Sequence, residues 1–272
     1  MTRRADARQS GFVLLCAVLA MAFIAGALIA TWMVVTARHQ GSELERAQLA
    51  YLTALRERLE QWYAHSAATV DAGATAPDMQ AVLRQIGAVR RWNLQVRAAE
   101  RQTEGAVTFR VLALWLPPAS APDTTTFDPA TGALVPAANT PSARIDGRVI
   151  QSQALAASRH GLQRLAQALE NRFKARYLAD PGRNVTVNHF RARSCASPLP
   201  DELPCLDQYT ALDASLLLAM GADARLARNG WNLPVEVSNS ADAQTAGPPY
   251  TFALRTATPW GTWVRASAIQ PL

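Results

Sequence analysis

Arg8-Gln9-Ser10-Gly11-Phe12-Val13-Leu14-Leu15 opens the stretch that decides the fold, because the apolar run beginning there continues without a charge to Ala37. Of the 27 residues from Gly11 to Ala37, 23 are Ala, Val, Ile, Leu, Met, Phe, Trp, Tyr or Cys. At about 1.5 Å per helical residue, roughly 20 residues cross the hydrocarbon layer, so the run is long enough to span a membrane. Arg3, Arg4 and Arg8 precede it with only Asp6 opposing, whereas Arg38 and Arg46 beyond it are balanced by Glu43 and Glu45. The positive-inside rule therefore keeps residues 1–11, a basic leader, in the cytoplasm, assigns 12–37 to the membrane and sends 38–272 to the other side. A secretory signal cut after Ala25-Gly26-Ala27 is the competing reading. Leu28, Ile29, Trp32, Met33, Val34 and Val35 carry the apolar run past that site and favour a retained anchor.

A short basic leader, a glycine, a phenylalanine and an apolar run that starts at once resemble the class III signal of type IV pilins and type II secretion pseudopilins. The resemblance implies that a prepilin peptidase cuts between Gly11 and Phe12 and methylates the new N-terminal Phe12. It also implies an inner-membrane protein whose partners are other pilin or secretion-system subunits. The family usually has a glutamate at the fifth mature position, where this chain has Cys16. Within the family that loss is more typical of minor subunits near the filament tip.

Beyond Ala37, Leu44, Tyr51, Leu55, Leu59 and Trp62 fall at helical spacings among Glu43, Glu45, Arg56, Glu57 and Glu60, and no proline interrupts the chain from Phe12 to Tyr63. That pattern predicts one amphipathic helix continuing the membrane span. A hinge at Gly41-Ser42 with a separate core helix is the alternative.

An internal repeat organises the remainder of the chain. Val82-Leu83-Arg84-Gln85-Ile86-Gly87-Ala88, then Trp92-Asn93-Leu94, then Thr108-Phe109 has a counterpart in Leu216-Leu217-Leu218-Ala219-Met220-Gly221-Ala222, Trp231-Asn232-Leu233 and Thr251-Phe252. Each half reads helix, short helix, strand, further strand, the second opening on a helix near Ser158 to Tyr177 that stops at Asp180-Pro181-Gly182. The expected fold is α+β: a long N-terminal transmembrane and spine helix, then two small pilin-like α+β modules with antiparallel sheets, at 38–116 and 142–272. Residues 117–141, with six prolines, are expected to link them. Ile145-Asp146-Gly147-Arg148-Val149 is alternatively a tight hairpin, since Asp-Gly suits a type I′ turn. Gly230-Trp231-Asn232-Leu233-Pro234, Tyr250-Thr251-Phe252 and Thr258-Pro259-Trp260-Gly261 loosely resemble the closing sheet of pilin headgroups. Trp231, Trp260 and Trp263 are read as core aromatics rather than a stacking platform.

Cys195 and Cys205 lie in a proline-rich segment placed outside the cytoplasm, where an oxidising compartment favours a disulfide. Their spacing does not suit a metal, Cys16 lies in the membrane run, and no metal or other cofactor is expected. His39, His65, His160 and His189 form no zinc-type pattern, and no nucleophile elbow, Walker loop or dinucleotide glycine motif appears. Asp201-Glu202 is read as a solvated turn. No catalytic residue is assigned, and a periplasmic enzyme is the weakest of three readings.

The chain of 272 residues is 49% hydrophobic and 18% charged, which excludes disorder, collagen and coiled coil as descriptions of the whole. Its net charge of +6 comes from 26 Arg and the single Lys174 against 21 Asp and Glu. Arg84, Arg90, Arg91, Arg97 and Arg101, and Arg172, Arg176, Arg183, Arg191 and Arg193, form two clusters. A solvated surface is favoured over a nucleic-acid face, with extracellular DNA the runner-up partner. The leading expectation is a non-enzymatic pilin-like subunit acting in assembly initiation, tip display or adhesion. The alternative is an uncleaved bitopic scaffold or binding protein in the basal body of a pilus or secretion system.

Overall fold

A computed structural model describes residues 5–118, 122–199, 202–240 and 247–270, the side chains of 5–17, 37, 38 and 40 aside. The chain forms two compact units, residues 1–54 and 55–272. Helix α1, Ala5–Val70, is a single helix of 66 residues, and it passes through Gly41 and Ser42 without a break. Ser42 keeps its hydroxyl satisfied by donating to the His39 carbonyl at 2.8 Å. Within the second unit, Leu55, Leu59, Tyr63, Ala67 and Val70 are buried at steps of four, four, four and three, while Trp62 is only half-buried. The interior stripe thus lies one position off the expected one at its end, with Tyr63 inside.

Two antiparallel sheets share the second unit, and the chain is α+β. Helix α2, Met79–Gln85, leads to strand β1, Gln95–Ala98. A ribbon of β2, Gln102–Glu104, and β3, Val107–Phe109, follows, then β4, Val111–Trp115. A second ribbon pairs β5, Thr126–Phe127, with β6, Leu134–Val135. Strand β7, Ser142–Asp146, closes the first sheet, whose order is β1-β4-β7. Helix α3, Gly147–Ala179, then β8, Thr210–Ala211, and α4, Ala214–Met220, precede the second sheet. That sheet, of β9, Val235–Ser238, β10, Thr251–Ala257, and β11, Trp263–Ile269, with β8, runs β11-β10-β9-β8.

Three expectations meet a different arrangement. Residues 117–141 run from β4 to β7 of one sheet and carry the β5–β6 ribbon, so they are a loop within that sheet. Leu116 N–H donates to the Pro141 carbonyl at 3.0 Å and closes the base of this loop. Ser142–Asp146, assigned from sequence to the second half, pairs with β4 through Val111↔Asp146 and Leu112↔Ile145. Asp146-Gly147 is not a hairpin turn: the Asp146 carboxylate accepts from the Arg148 N–H at 3.0 Å and caps α3, which starts at Gly147. A side-chain cap competes with the type I′ turn for the same Asp, and the apolar stripe of α3 decides for the helix.

The repeat has a structural counterpart in detail. Asp78 and Asp213 cap the two seven-residue helices α2 and α4. At their far ends Gly87 and Gly221 take left-handed φ of 64° and 70°, which glycine adopts without steric cost. Ala88 N–H donates to Leu83 O, and Ala222 N–H to Leu217 O, both at 2.9 Å. After each Gly comes a Trp-Asn-Leu turn, with Asn93 and Asn232 at φ of 54° and 61°, leading into β1 and β9. The central strands differ more: β4 is buried at all five positions, whereas the core beneath β10 joins Phe252 and Leu254 to Leu165, Leu169, Phe173 and Phe190.

Candidate functional site

From Val18 to Val35 the side chains of α1 are exposed on every face, Phe23, Ile24, Trp32 and Val35 among them. Exposing each large apolar side chain to water forgoes roughly 1.5–3 kcal/mol, so this surface calls for an apolar surrounding. Its threonine hydroxyls are satisfied along the helix: Thr31 Oγ1 donates to Ala27 O at 2.6 Å and Thr36 Oγ1 to Trp32 O at 2.9 Å. That is the condition for crossing lipid, where no water replaces a lost partner. The helix is long and apolar enough to cross a membrane once. Gly11, Phe12 and Cys16 lie within α1, their side chains outside the described set.

Where α1 ends, a buried polar cluster forms that the sequence reading missed. Arg110, between β3 and β4, is fully buried, and so are Asp71 and Gln151. Its guanidinium donates to the carbonyls of Val70, Ala99, Gly73, Ala74 and Thr75 at 2.7–3.2 Å. Asp71 Oδ1 stands 3.8 Å from Arg110 Nε, an ionic contact too long for a hydrogen bond. The other oxygen, Oδ2, accepts from Tyr63 Oη and from Gln151 Nε2, each at 2.5 Å. Gln151 Oε1 accepts from Trp231 Nε1, also at 2.5 Å, and the Arg110 N–H donates to Tyr63 Oη at 2.9 Å. One connected network thus fastens α1, the loop after it, the start of β4, α3 and the Trp231 turn.

Burial dominates its electrostatics. The Asp71 carboxyl is pushed above its ordinary range by desolvation, which outweighs the hydrogen bonds from Tyr63 and Gln151 and the Arg110 charge. Burial likewise pushes the Arg110 guanidinium down and, with the Asp71 charge, the Tyr63 phenol up. A carbonyl cage supplies most of what Arg110 needs, so the cluster is a structural fastening, with Asp71 Oδ1 the one buried atom in it that has no hydrogen-bond partner. Two polar residues on an apolar stripe were the available signal: Gln151 and Ser158 sit in register with Leu155, Leu162, Leu165 and Leu169 on α3.

Cys195 and Cys205 form a disulfide, with Cα atoms 5.4 Å apart. Buried Asn239, after β9, holds the segment around it: its Nδ2 donates to Phe190 O at 2.8 Å and Pro204 O at 2.7 Å, and its Oδ1 accepts from the Leu206 N–H at 2.8 Å. His189, buried against Phe173 with ring centroids 5.5 Å apart, is pushed below its usual range by desolvation and then by the Arg176 charge. Glu202 is buried, accepting from the Leu199 N–H at 3.2 Å with Arg176 3.9 Å away, rather than turned to solvent. Its neighbour Asp201 lies outside the described residues.

The aromatics divide. Trp231 is buried and meets Trp260 edge to face at 5.3 Å, but Trp263 is 41% exposed. Arg255 sits between Trp263 and Tyr209, its guanidinium carbon 4.0 and 3.5 Å from the two ring centroids, with Glu236 at 2.8 Å. Several members of the arginine clusters are engaged within the protein: Arg90 with Leu94 O, Arg101 with Ala72 O, Arg191 with Ser240 Oγ and Asp207. Among the described residues, no three His, Cys, Asp or Glu side chains converge as a metal centre requires. Compared with known protein families, with curated proteins and with solved structures, the chain matches none.

Proposed function

We propose that this chain is a non-enzymatic, pilin-like subunit of a type IV pilus or type II secretion-type filament, acting in assembly initiation, tip display or adhesion. The observation that carries the reading is the Gly11-Phe12 junction at the head of a bare apolar helix that runs on as one α1 into an α+β unit. In this reading the leader stays cytoplasmic and α1 anchors the chain in the inner membrane before joining other subunits through its exposed apolar surface. The α+β unit lies in the periplasm or on the filament, where an oxidising environment suits Cys195–Cys205. The two halves are then two pilin-like modules sharing one interior. A prepilin peptidase is the processing partner, Gly11 and Phe12 its site, and methylated Phe12 the mature N-terminus. The chain is expressed beside a prepilin peptidase, and the N-termini of wild type and Gly11→Ala are compared by mass spectrometry. Wild type is expected to start at methylated Phe12 and the variant to keep its leader; identical N-termini would remove the reading.

One observation favours the uncleaved bitopic scaffold instead. Helix α1 passes through Gly11 and Phe12 without a break, so the described part of the leader, from Ala5, and the span are one helix. That reading predicts an intact leader in both proteins.

A further inference from the structure

Strand β11 is a free edge of the second sheet: β10 occupies one side, and no strand pairs with the other among the described residues. In an antiparallel ladder, alternate residues turn their N–H and C=O toward the neighbour. Gln270 N–H donates to Tyr250 O, and Thr258 N–H to Thr262 O, both at 2.8 Å. Those two bonds assign the even-numbered positions to β10 and turn the backbone groups of Trp263 and Ser267 away from the sheet. At the far end, the outward Ile269 N–H is taken by the Glu170 carboxylate at 3.3 Å, a side chain standing where a further strand would bond. Edges are commonly blunted by proline, lysine or a bulge, and Trp263–Ile269 has neither proline nor lysine.

Beside this edge lies a groove of about 400 Å³ between β11, α3 and the β2–β3 turn, lined by Leu155, Arg159 and Gln163 of α3, Val264 and Ala266 of β11, and Ala106. Its lining residues include Arg159 and no Asp or Glu, and alternation along β11 turns the Arg265 side chain to the face away from α3. Leu155, Arg159 and Gln163 recur every four residues, about 6 Å apart along the helix, against roughly 6.6 Å between same-face residues of a strand.

We infer that this groove receives an extended segment of a partner protein as an added strand on β11, with an apolar side chain over Leu155 and a carboxylate at Arg159. Charge selects the occupant. A second β11, Trp263–Ile269, carries no Asp or Glu to meet Arg159. Peptide capture here is independent of whether the leader is cleaved.

The full chain in detergent is titrated into a fluorescein-labelled peptide, Thr-Leu-Thr-Asp-Thr-Thr-Thr, and into its reversed sequence, so that both strand directions are sampled. Saturable anisotropy is expected for one direction, with slowed amide exchange at Trp263 and Ser267. Replacing the peptide Asp by Lys is expected to weaken binding about tenfold or more, and Arg159→Glu to reverse that preference. Ser267→Pro removes an outward N–H at a position where an edge strand tolerates proline, and it is expected to abolish binding. Absence of saturation up to about 1 mM protein, or affinity unchanged by both Arg159→Glu and Ser267→Pro, overturns the inference. So does a concentration-dependent dimer in sedimentation that Ser267→Pro dissolves, which assigns the edge to a second copy.

Discussion

Arg110 shows how one residue can hold a fold together at a cost that its surroundings offset. Five backbone carbonyls surround its guanidinium, and Asp71 stands 3.8 Å away. Because burial raises the Asp71 carboxyl, the folded protein keeps a proton there to higher pH than the unfolded chain does. The stability owed to that proton is complete below about pH 4, the ordinary carboxyl value, and declines as pH rises through the folded value. Asp71→Asn is uncharged at every pH and lacks this decline. In urea unfolding of the detergent-solubilised chain between pH 4 and 8, wild type should therefore lose stability with pH relative to Asp71→Asn. Parallel pH profiles would contradict this. None of the cluster was read from sequence, because Arg110 and Gln151 lie about 40 and 80 residues beyond Tyr63 and Asp71 and no local spacing joins the three segments. Cys195 and Cys205 were legible, since ten residues of separation and a proline-rich loop bring both ends within reach.

At the scale of the element, α3 carries the same substitution with two opposite outcomes. Gly147 begins the helix, and a Cβ there would run into the Arg110 carbonyl and the Tyr63 ring, atoms the polar cluster holds in place. Gly147→Ala should destabilise by about 1–3 kcal/mol, the range for overfilled interiors. A Cβ at Gly161, about 21 Å farther along the helix, would meet nothing closer than Leu226 Cδ2 at 3.9 Å. Gly161→Ala should stabilise by about 0.5–1 kcal/mol, through helix propensity and a less free unfolded chain. Thermal unfolding of the two variants checks the pair, and shifts of the same sign would contradict the packing described. The stripe of α3 was legible from Leu162 to Phe173, where apolar residues repeat at three and four. Its first eleven residues were not, because Gln151 and Ser158 replace apolar residues in the stripe and Asp146-Gly147 carries a turn signature. The Trp-Asn-Leu repeat was legible because each copy needs a left-handed Asn before a strand, a backbone demand written in residue type.

At the scale of the molecule, composition and patterning point to a membrane-crossing helix followed by an α+β unit, and the structure has a helix long and apolar enough to cross and an α+β unit after it. Pairing between distant segments was beyond the reach of pattern. Strand β7 joins β4 across the 26 residues from 116 to 141, a proline-rich stretch that reads as a linker because nothing local announces its closure. Residues 55–272 form one compact unit, so the two halves share an interior in which Gln151 bridges Asp71 and Trp231. The central claim is that this unit travels on a processed filament subunit. Intact mass of the chain recovered from sheared filaments of cells expressing it with a prepilin peptidase tests this most directly. A filament-borne chain beginning at methylated Phe12 is the predicted result; a chain found in the membrane fraction alone, with residues 1–11 attached, would contradict it.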